Sequence, residues 1–137
     1  MEESEAGRLL DRAGEAALRA YAPYSRFRVG AVVRDRRGVL FAGCNVESAS
    51  YGLTVCAERA AILVALAAGA ERPFTALAVA CVDAPPGAGP DGAMPCGACR
   101  QVMAEHLAVD APVHVLGAGT FRVADLLPHA FTLGAGD

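Results

Sequence analysis

Two cysteine clusters in distant parts of the sequence constrain how this chain can fold. The first is Cys56-Ala57-Glu58, and the second is Pro95-Cys96-Gly97-Ala98-Cys99. Three thiolates can bind a zinc ion and leave its fourth coordination position open, which is typical of catalytic rather than structural zinc. A fold that uses these residues together must bring the two clusters to one place.

Both clusters lie at the starts of predicted helices, over Cys56–Ala68 and Cys96–Leu107. The first turn of a helix has free backbone N–H groups, and the helix dipole favours negative charge there. A cysteine at such a position has a lowered pKa and ionises more readily. Cys96 and Cys99 are three residues apart and therefore share one helix face. A metal bound by these thiolates would join two helix ends.

Zinc with three thiolates is electron-rich, so other groups must draw charge from the sulfur atoms if bound water is to ionise near neutral pH. Arg59 lies three residues after Cys56, on the same helix face, and is expected to reach a thiolate. Arg100 and Gln101 follow Cys99 and are further candidate donors. Donors that surround the ligands tune a metal site as the ligands themselves do.

Glu58 lies two residues after the first thiolate, where we expect it to stand beside the metal without binding it. A carboxylate in that place can act as a general base and then as a general acid for water on the zinc. The alternative is an ordinary acidic residue in the first turn of a helix. Its position within Cys-Ala-Glu favours the catalytic interpretation.

Other interpretations of the cysteines must be kept open. Cys-x-x-Cys alone also occurs in redox pairs and as half of a structural zinc site. Cys44 or Cys81 could complete a four-thiolate shell, which would indicate a zinc-stabilised binding module rather than an enzyme. We interpret both as small buried hydrophobic side chains. The five cysteines and the absence of a signal-peptide pattern predict a cytoplasmic protein.

Hydrophobic periodicity and turn residues predict an α/β fold in which a mixed sheet carries helices on its faces. A long Pro- and Gly-rich loop, Asp83–Pro95, precedes the second cluster. The other predicted elements are a helix from a Ser4 cap to Ala20, strands over Phe27–Arg34, Val39–Asn45, Thr75–Val82, Val113–Leu116 and Thr120–Val123, and a last turn from Ala124.

Composition sets the remaining limits. The 137 residues predict a single domain, 1–137, and no apolar run is long enough for a transmembrane helix. The net charge is −3, and all 12 basic residues are arginine. Nucleic-acid binders usually carry clustered positive charge, so we expect no nucleic-acid partner.

These residues resemble the zinc site of the small homotetrameric cytidine deaminases, and the similarity extends along nearly the whole chain. The motifs that carry it are Tyr21-Ala22-Pro23-Tyr24-Ser25, Gly43-Cys44-Asn45-Val46-Glu47, Cys56-Ala57-Glu58-Arg59, Pro95-Cys96-Gly97-Ala98-Cys99-Arg100-Gln101 and Leu126-Leu127-Pro128. The resemblance implies a three-layer α/β/α fold with a mixed five-stranded sheet. It also implies a Zn²⁺ cofactor on the three cysteines.

The resemblance further implies hydrolytic deamination of cytidine and 2′-deoxycytidine, with Glu58 as the catalytic residue. A relative that deaminates another nucleoside, such as blasticidin S, is the alternative enzyme. The implied substrate contacts are Asn45 and Glu47 to the sugar hydroxyls, Phe27 packed on the pyrimidine, a backbone group of Ala57 to the base, and Tyr51 and Phe131 near a pocket shared between subunits of a homotetramer.

Overall fold

A computed structural model describes residues 4–85 and 93–134 of the protein. In chain order its elements are α1 (Glu5–Ala17), β1 (Val29–Arg34), β2 (Leu40–Cys44), a 3₁₀ turn (Tyr51–Leu53), α2 (Ala57–Ala67), β3 (Ala76–Cys81), α3 (Gly97–His106), β4 (Pro112–Val115), β5 (Gly119–Arg122) and α4 (Val123–Leu126).

The five strands form one mixed sheet in the order β2-β1-β3-β4-β5. β1 pairs antiparallel with both β2 and β3, β3 runs parallel to β4, and β4 pairs antiparallel with β5. β1 and β2 form an antiparallel hairpin. Its turn is held by Asp35, whose Oδ1 accepts the N–H groups of Arg37 and Val39 at 2.9 Å each.

Helices cover both faces of the sheet, which confirms the three-layer α/β/α architecture. On one face Leu9 and Ala13 of α1 pack with Val32 and with the alanines of β3. On the other face α2 and α3 pack over Val33, Leu77, Val79 and Val113; the helix residues in this cluster include Ala61, Ile62, Ala65 and Met103. The larger of the two cores therefore lies beneath the helices that carry the cysteines.

The first helix is shorter than predicted, because it ends at Ala17 rather than Ala20. Ser4 caps it as expected, and the Ser4 hydroxyl oxygen accepts the N–H of Gly7 at 3.0 Å. Beyond Ala17 the backbone N–H groups of residues 18–20 bond three residues back rather than four, so the α-helix gives way to tight turns. Within the described parts of the chain, no helix is long and apolar enough to cross a membrane.

The functional clusters lie where several elements meet at one edge of the sheet. Cys56 and Cys96 are the N-cap residues of α2 and α3, so both predicted helix starts are confirmed. β3 ends at Cys81 on the same side, and Asn45 follows directly after β2. Ligand sites in α/β proteins commonly lie at the carboxyl ends of strands. Residues 86–92 of the predicted loop lie outside the described residues.

Gly43 sets how closely α2 approaches the sheet, and its substitution tests that contact. A Cβ at Gly43 would lie 2.3 Å from the backbone N of Ala61. Gly43→Ala must therefore push α2 outward, and we expect a loss of about 1–3 kcal/mol in the free energy of unfolding. Urea denaturation measures this loss. Gly14→Ala in α1 is the control, because no atom lies within 4 Å of its Cβ position; equal losses in both variants would contradict the account.

Candidate active site

The structure brings the three predicted metal ligands together. The sulfur atoms of Cys56, Cys96 and Cys99 all lie within 4.8 Å of one another. The Sγ atoms of Cys56 and Cys96 are 4.0 Å apart, and those of Cys96 and Cys99 are 3.4 Å apart. Ligands 2.3 Å from a tetrahedral zinc lie about 3.8 Å from each other. The three thiolates therefore fit zinc without rearrangement of the backbone.

Neither remaining cysteine completes a four-thiolate shell in the parts of the chain that the structure describes. Cys44 and Cys81 are not among the clustered ligand atoms. Three protein ligands leave one tetrahedral position open, which is typical of catalytic zinc and not of closed structural sites. This geometry supports the enzyme interpretation over the binding module.

The three thiols interact strongly before any metal binds. A hydrogen bond from the Cys99 thiol and contact with Arg59 lower the pKa of Cys56 to about 5, although burial opposes this change. Donating that hydrogen bond raises the pKa of Cys99, and burial raises it further. Cys56 is therefore the first of the two to ionise. A thiolate is the form that binds metal.

Arg59 reaches the thiolate, as its spacing predicts. One terminal nitrogen, Nη2, lies 3.5 Å from the Sγ of Cys56 and 3.4 Å from the backbone oxygen of Thr54. The hydrogen bond to Cys56 raises the pKa of Arg59 itself. The guanidinium thus places a permanent positive charge against the sulfur of Cys56, where it offsets part of the negative charge of three thiolates.

The hydrogen bonds of Arg100 and Gln101 in the structure go to backbone oxygens rather than to sulfur. Arg100 donates from Nε to the backbone oxygen of Pro95 at 2.9 Å and from Nη1 to that of Leu126 at 3.0 Å. Gln101 donates from Nε2 to the backbone oxygen of Phe131 at 3.0 Å. Both side chains point to neighbouring carbonyl groups because α4 and the C-terminal segment pack beside α3. Arg100 instead fixes the backbone directly before Cys96.

Glu58 is 5% exposed and lines a cavity beside the thiolates. Burial raises its pKa, and the negative charge of Cys56 adds to this effect. A carboxyl group with a raised pKa holds a proton more readily than a free one, which suits a group that both accepts and donates protons. The structure therefore gives Glu58 an environment suited to proton transfer.

The cavity at the thiolates has a volume of about 180 Å³. Three of the predicted substrate contacts, Phe27, Asn45 and Ala57, line it together with Cys56 and Cys96. The full lining is Phe27, Val29, Asn45, Thr54, Cys56, Ala57, Glu58, Val79, Cys81, Ala93, Met94 and Cys96. The size and largely apolar lining suit a flat heterocycle.

Sequence reasoning did not assign six members of this lining to the site, namely Val29, Thr54, Val79, Cys81, Ala93 and Met94. Cys81 was interpreted as a small hydrophobic residue in a strand. Its position at the carboxyl end of β3 places it at the cavity, where burial raises its pKa to about 11 and keeps the thiol protonated. The signal available in the sequence was its position at the end of a strand that leads to the second cluster.

Glu47 and Tyr51 lie in a neighbouring groove rather than in the cavity itself. Tyr24, Ser25 and Ser48 complete that groove, and Thr54 lines both spaces. Phe131 lies apart from both, over α3, in a groove that includes Arg72 and Glu105. Phe131 is 71% exposed, so within one chain it does not contact the cavity.

Removing the Arg59 charge tests its effect on the thiolates. In Arg59→Ala the pKa of Cys56 should rise, so protons would compete with zinc for this sulfur at higher pH, and a zinc held by three thiolates without the nearby positive charge would be a weaker Lewis acid. Both effects move the acid limb of the activity profile upward, by about one pH unit. A kcat/KM profile from pH 5 to 9 measures this shift, with Arg59→Lys as a charge-preserving control. An unchanged profile in Arg59→Ala would contradict the assignment.

Comparison with known proteins agrees with the geometry of the site. Residues 3–114 match the family model described as the cytidine and deoxycytidylate deaminase zinc-binding region. The chain is similar to the cytidine deaminase of Mycobacterium tuberculosis, with 47% identity over 91% of this chain and 88% of that protein. It is also similar to the cytidine deaminase of Halalkalibacterium halodurans, with 43% identity over 90% of this chain and 92% of that protein.

Solved structures agree in fold. The crystal structure of cytidine deaminase from Burkholderia pseudomallei matches with a TM-score of 0.79 and 45% identity, covering 90% of this chain and 97% of that one. The region that matches the family model, residues 3–114, includes both cysteine clusters, Cys56 with Glu58 and Cys96 with Cys99. The chain therefore belongs to the family of zinc-binding cytidine and deoxycytidylate deaminases.

Proposed function

We propose that this protein is a cytidine deaminase, which hydrolyses cytidine and 2′-deoxycytidine to uridine and 2′-deoxyuridine with release of ammonia. The observation that carries the proposal is the placement of buried Glu58 in one cavity with Cys56 and Cys96. Zinc bound by the three cysteines would supply a Lewis acid that lowers the pKa of water. The remaining steps are proton transfers and contacts made by side chains of this chain.

Glu58 moves two protons in this reaction. It first takes a proton as the oxygen of water bonds to C4 of the pyrimidine, and it delivers that proton to ring atom N3. It next transfers the proton of the new hydroxyl group to N4. The C4–N4 bond then breaks, ammonia leaves, and the C4 carbonyl forms. Glu58 ends in its initial state, as a general acid–base catalyst must.

The sugar end of the substrate lies toward Asn45 and Glu47 in this proposal. The side chain of Asn45 is anchored, because its Oδ1 accepts the N–H of Val29 at 2.9 Å and its Nδ2 donates to the backbone oxygen of Phe27 at 2.8 Å. An amide retains one further donor and one further acceptor site for a hydroxyl group. Phe27 packs on the pyrimidine, and Ala57 contributes a backbone group to the base.

The proposal favours free nucleosides over nucleotides. The carboxylate of Glu47 suits hydroxyl groups as an acceptor and repels a phosphate group. Purified protein is therefore tested with cytidine, 2′-deoxycytidine, CMP and blasticidin S in an ultraviolet absorbance assay. We expect turnover of the first two and much slower turnover of CMP. Preferential turnover of CMP or of blasticidin S would contradict the proposed substrate class and identify that compound as the better substrate.

We also infer that the active protein is a homotetramer with active sites shared between subunits. Leu63 and Val64 on α2 are 55% and 47% exposed, and Tyr51 is 79% exposed at the groove beside Glu47. Apolar side chains on a helix that is hydrophobic on nearly every face are typical of an interface. Phe131 is then available to approach the pocket of a neighbouring subunit.

Light scattering tests the assembly. A mass of four chains is expected for the wild type, and Leu63→Glu places a charge on the apolar face and should lower that mass. A monomer with full activity would contradict the shared active site.

The structure also bears on the compartment, because none of the five cysteines forms a disulfide bond. Cysteines that remain as thiols suit a reducing compartment, which supports a cytoplasmic location.

A further inference from the structure

The turn over residues 22–26 is joined to Glu47 by hydrogen bonds that the proposed mechanism does not use. The Oε1 atom of Glu47 accepts the backbone N–H groups of Tyr24 at 3.0 Å and Ser25 at 3.1 Å. The Ser25 hydroxyl donates to Oε2 of the same carboxylate. The turn is closed by the N–H of Arg26, which bonds the backbone oxygen of Ala22 at 2.9 Å.

Ser25 also connects Glu47 to the base end of the site. Its hydroxyl oxygen accepts the N–H of Phe27 at 3.0 Å. The backbone oxygen of Phe27 in turn accepts the side-chain amide of Asn45 at 2.8 Å. A hydroxyl group has one proton to donate and lone pairs to accept, so Ser25 makes both contacts at once. Three residues of the proposed substrate pocket are therefore linked through this one side chain.

The hydrogen bonds leave Glu47 with limited capacity for a substrate. A carboxylate offers about four lone-pair sites, and three are used by the turn. The hydrogen bond from Ser25 lowers the pKa of Glu47, although burial opposes this change, so the carboxylate remains charged at neutral pH. Its orientation decides whether the remaining site faces a sugar hydroxyl group. Only Ser25 holds Oε2 among the bonds of the described residues, whereas the two backbone donors hold Oε1.

We propose that Ser25 is a positioning residue that orients Glu47 toward the sugar and thereby sets the preference for nucleosides that carry sugar hydroxyl groups. This inference rests on the proposed deaminase activity and deepens it. Ser25 contacts no reacting atom, so its removal should affect a substrate that lacks the 2′ and 3′ hydroxyl groups far less than one that carries them. The effect should appear only where Glu47 has a hydroxyl group to bind.

The test compares kcat/KM for cytidine with that for 2′,3′-dideoxycytidine. In Ser25→Ala we expect the cytidine value to fall about five- to tenfold, as for the net loss of one hydrogen bond, while the dideoxycytidine value changes by less than about twofold. Ser25→Thr keeps a hydroxyl group and should retain the wild-type ratio. Ser50→Ala is the matched control, because Ser50 lies outside the groove that contains Glu47.

A double-mutant cycle with Glu47→Gln keeps the test decisive if Ser25→Ala also changes stability. Once Glu47 is neutral, the further change Ser25→Ala should no longer alter the substrate ratio. Equal losses on both substrates in Ser25→Ala would assign Ser25 a purely structural role and overturn the proposal, as would an unchanged ratio. Failure of the deaminase proposal is distinguishable, because the wild type would then deaminate neither substrate.

Discussion

Replacement of Glu58 by alanine should abolish deamination while the zinc stays bound. Only the sulfurs of Cys56, Cys96 and Cys99 form the metal-binding cluster of the described residues, so we expect the zinc to stay bound without Glu58. Loss of a positioned general acid–base group lowers kcat by about 10²- to 10⁴-fold. The prediction is checked by steady-state kinetics on cytidine together with metal analysis of the same preparation.

Two further variants separate proton transfer from packing. Glu58→Gln preserves the shape of a side chain that is nearly fully buried, and we expect it to be as inactive as Glu58→Ala. Glu105→Ala removes an exposed carboxylate from α3 and should leave kcat unchanged. Near wild-type deamination by either Glu58 variant would show that another group moves the protons.

Replacement of Cys99 should remove the metal and the activity together. Cys99 is fully buried, and its Sγ lies 3.4 Å from that of Cys96. Cys99→Ala leaves two thiolates, so we expect the zinc content to fall from roughly one ion per chain to a trace, and deamination to disappear with it. Because metal binding stabilises the folded state, the melting temperature should fall as well. Metal analysis and calorimetry measure both.

Cys44→Ser is the control for the ligand assignment, because Cys44 lies on β2 and outside the sulfur cluster. It should retain its zinc and its activity. Loss of zinc in Cys44→Ser would indicate a fourth thiolate and a closed structural site. Retention of zinc in Cys99→Ala would show that the metal is held by a different set of residues.

The sequence was sufficient to predict the metal ligands because local signals place them. Each cluster lies at a helix start that the sequence pattern predicts. Cys56 and Cys96 are the N-cap residues of these two helices. Arg59 was also predictable, since its contact with Cys56 depends only on helical spacing. The five strands followed from short apolar runs separated by turn residues, and their pairing confirmed a mixed sheet.

Tertiary packing determines the hydrogen-bond partners of several side chains near the site, and spacing in the sequence cannot predict these partners. Arg100 and Gln101 follow Cys99 along the same helix, yet their donors bond backbone oxygens of Leu126 and Phe131, which are distant in sequence. Spacing alone cannot show that α4 ends beside α3. Likewise, nothing in the local sequence indicates that the turn at Ser25 reaches the carboxylate of Glu47.

Zinc-dependent release of ammonia from cytidine is the central activity that we expect of this chain. The direct measurement is the formation of uridine and ammonia by zinc-loaded protein, by the same protein after removal of the metal, and after zinc is restored. We predict equal amounts of both products, loss of activity without metal, and recovery with zinc. Failure of the zinc-loaded protein to deaminate cytidine, or an equal rate in the metal-free protein, would contradict the account.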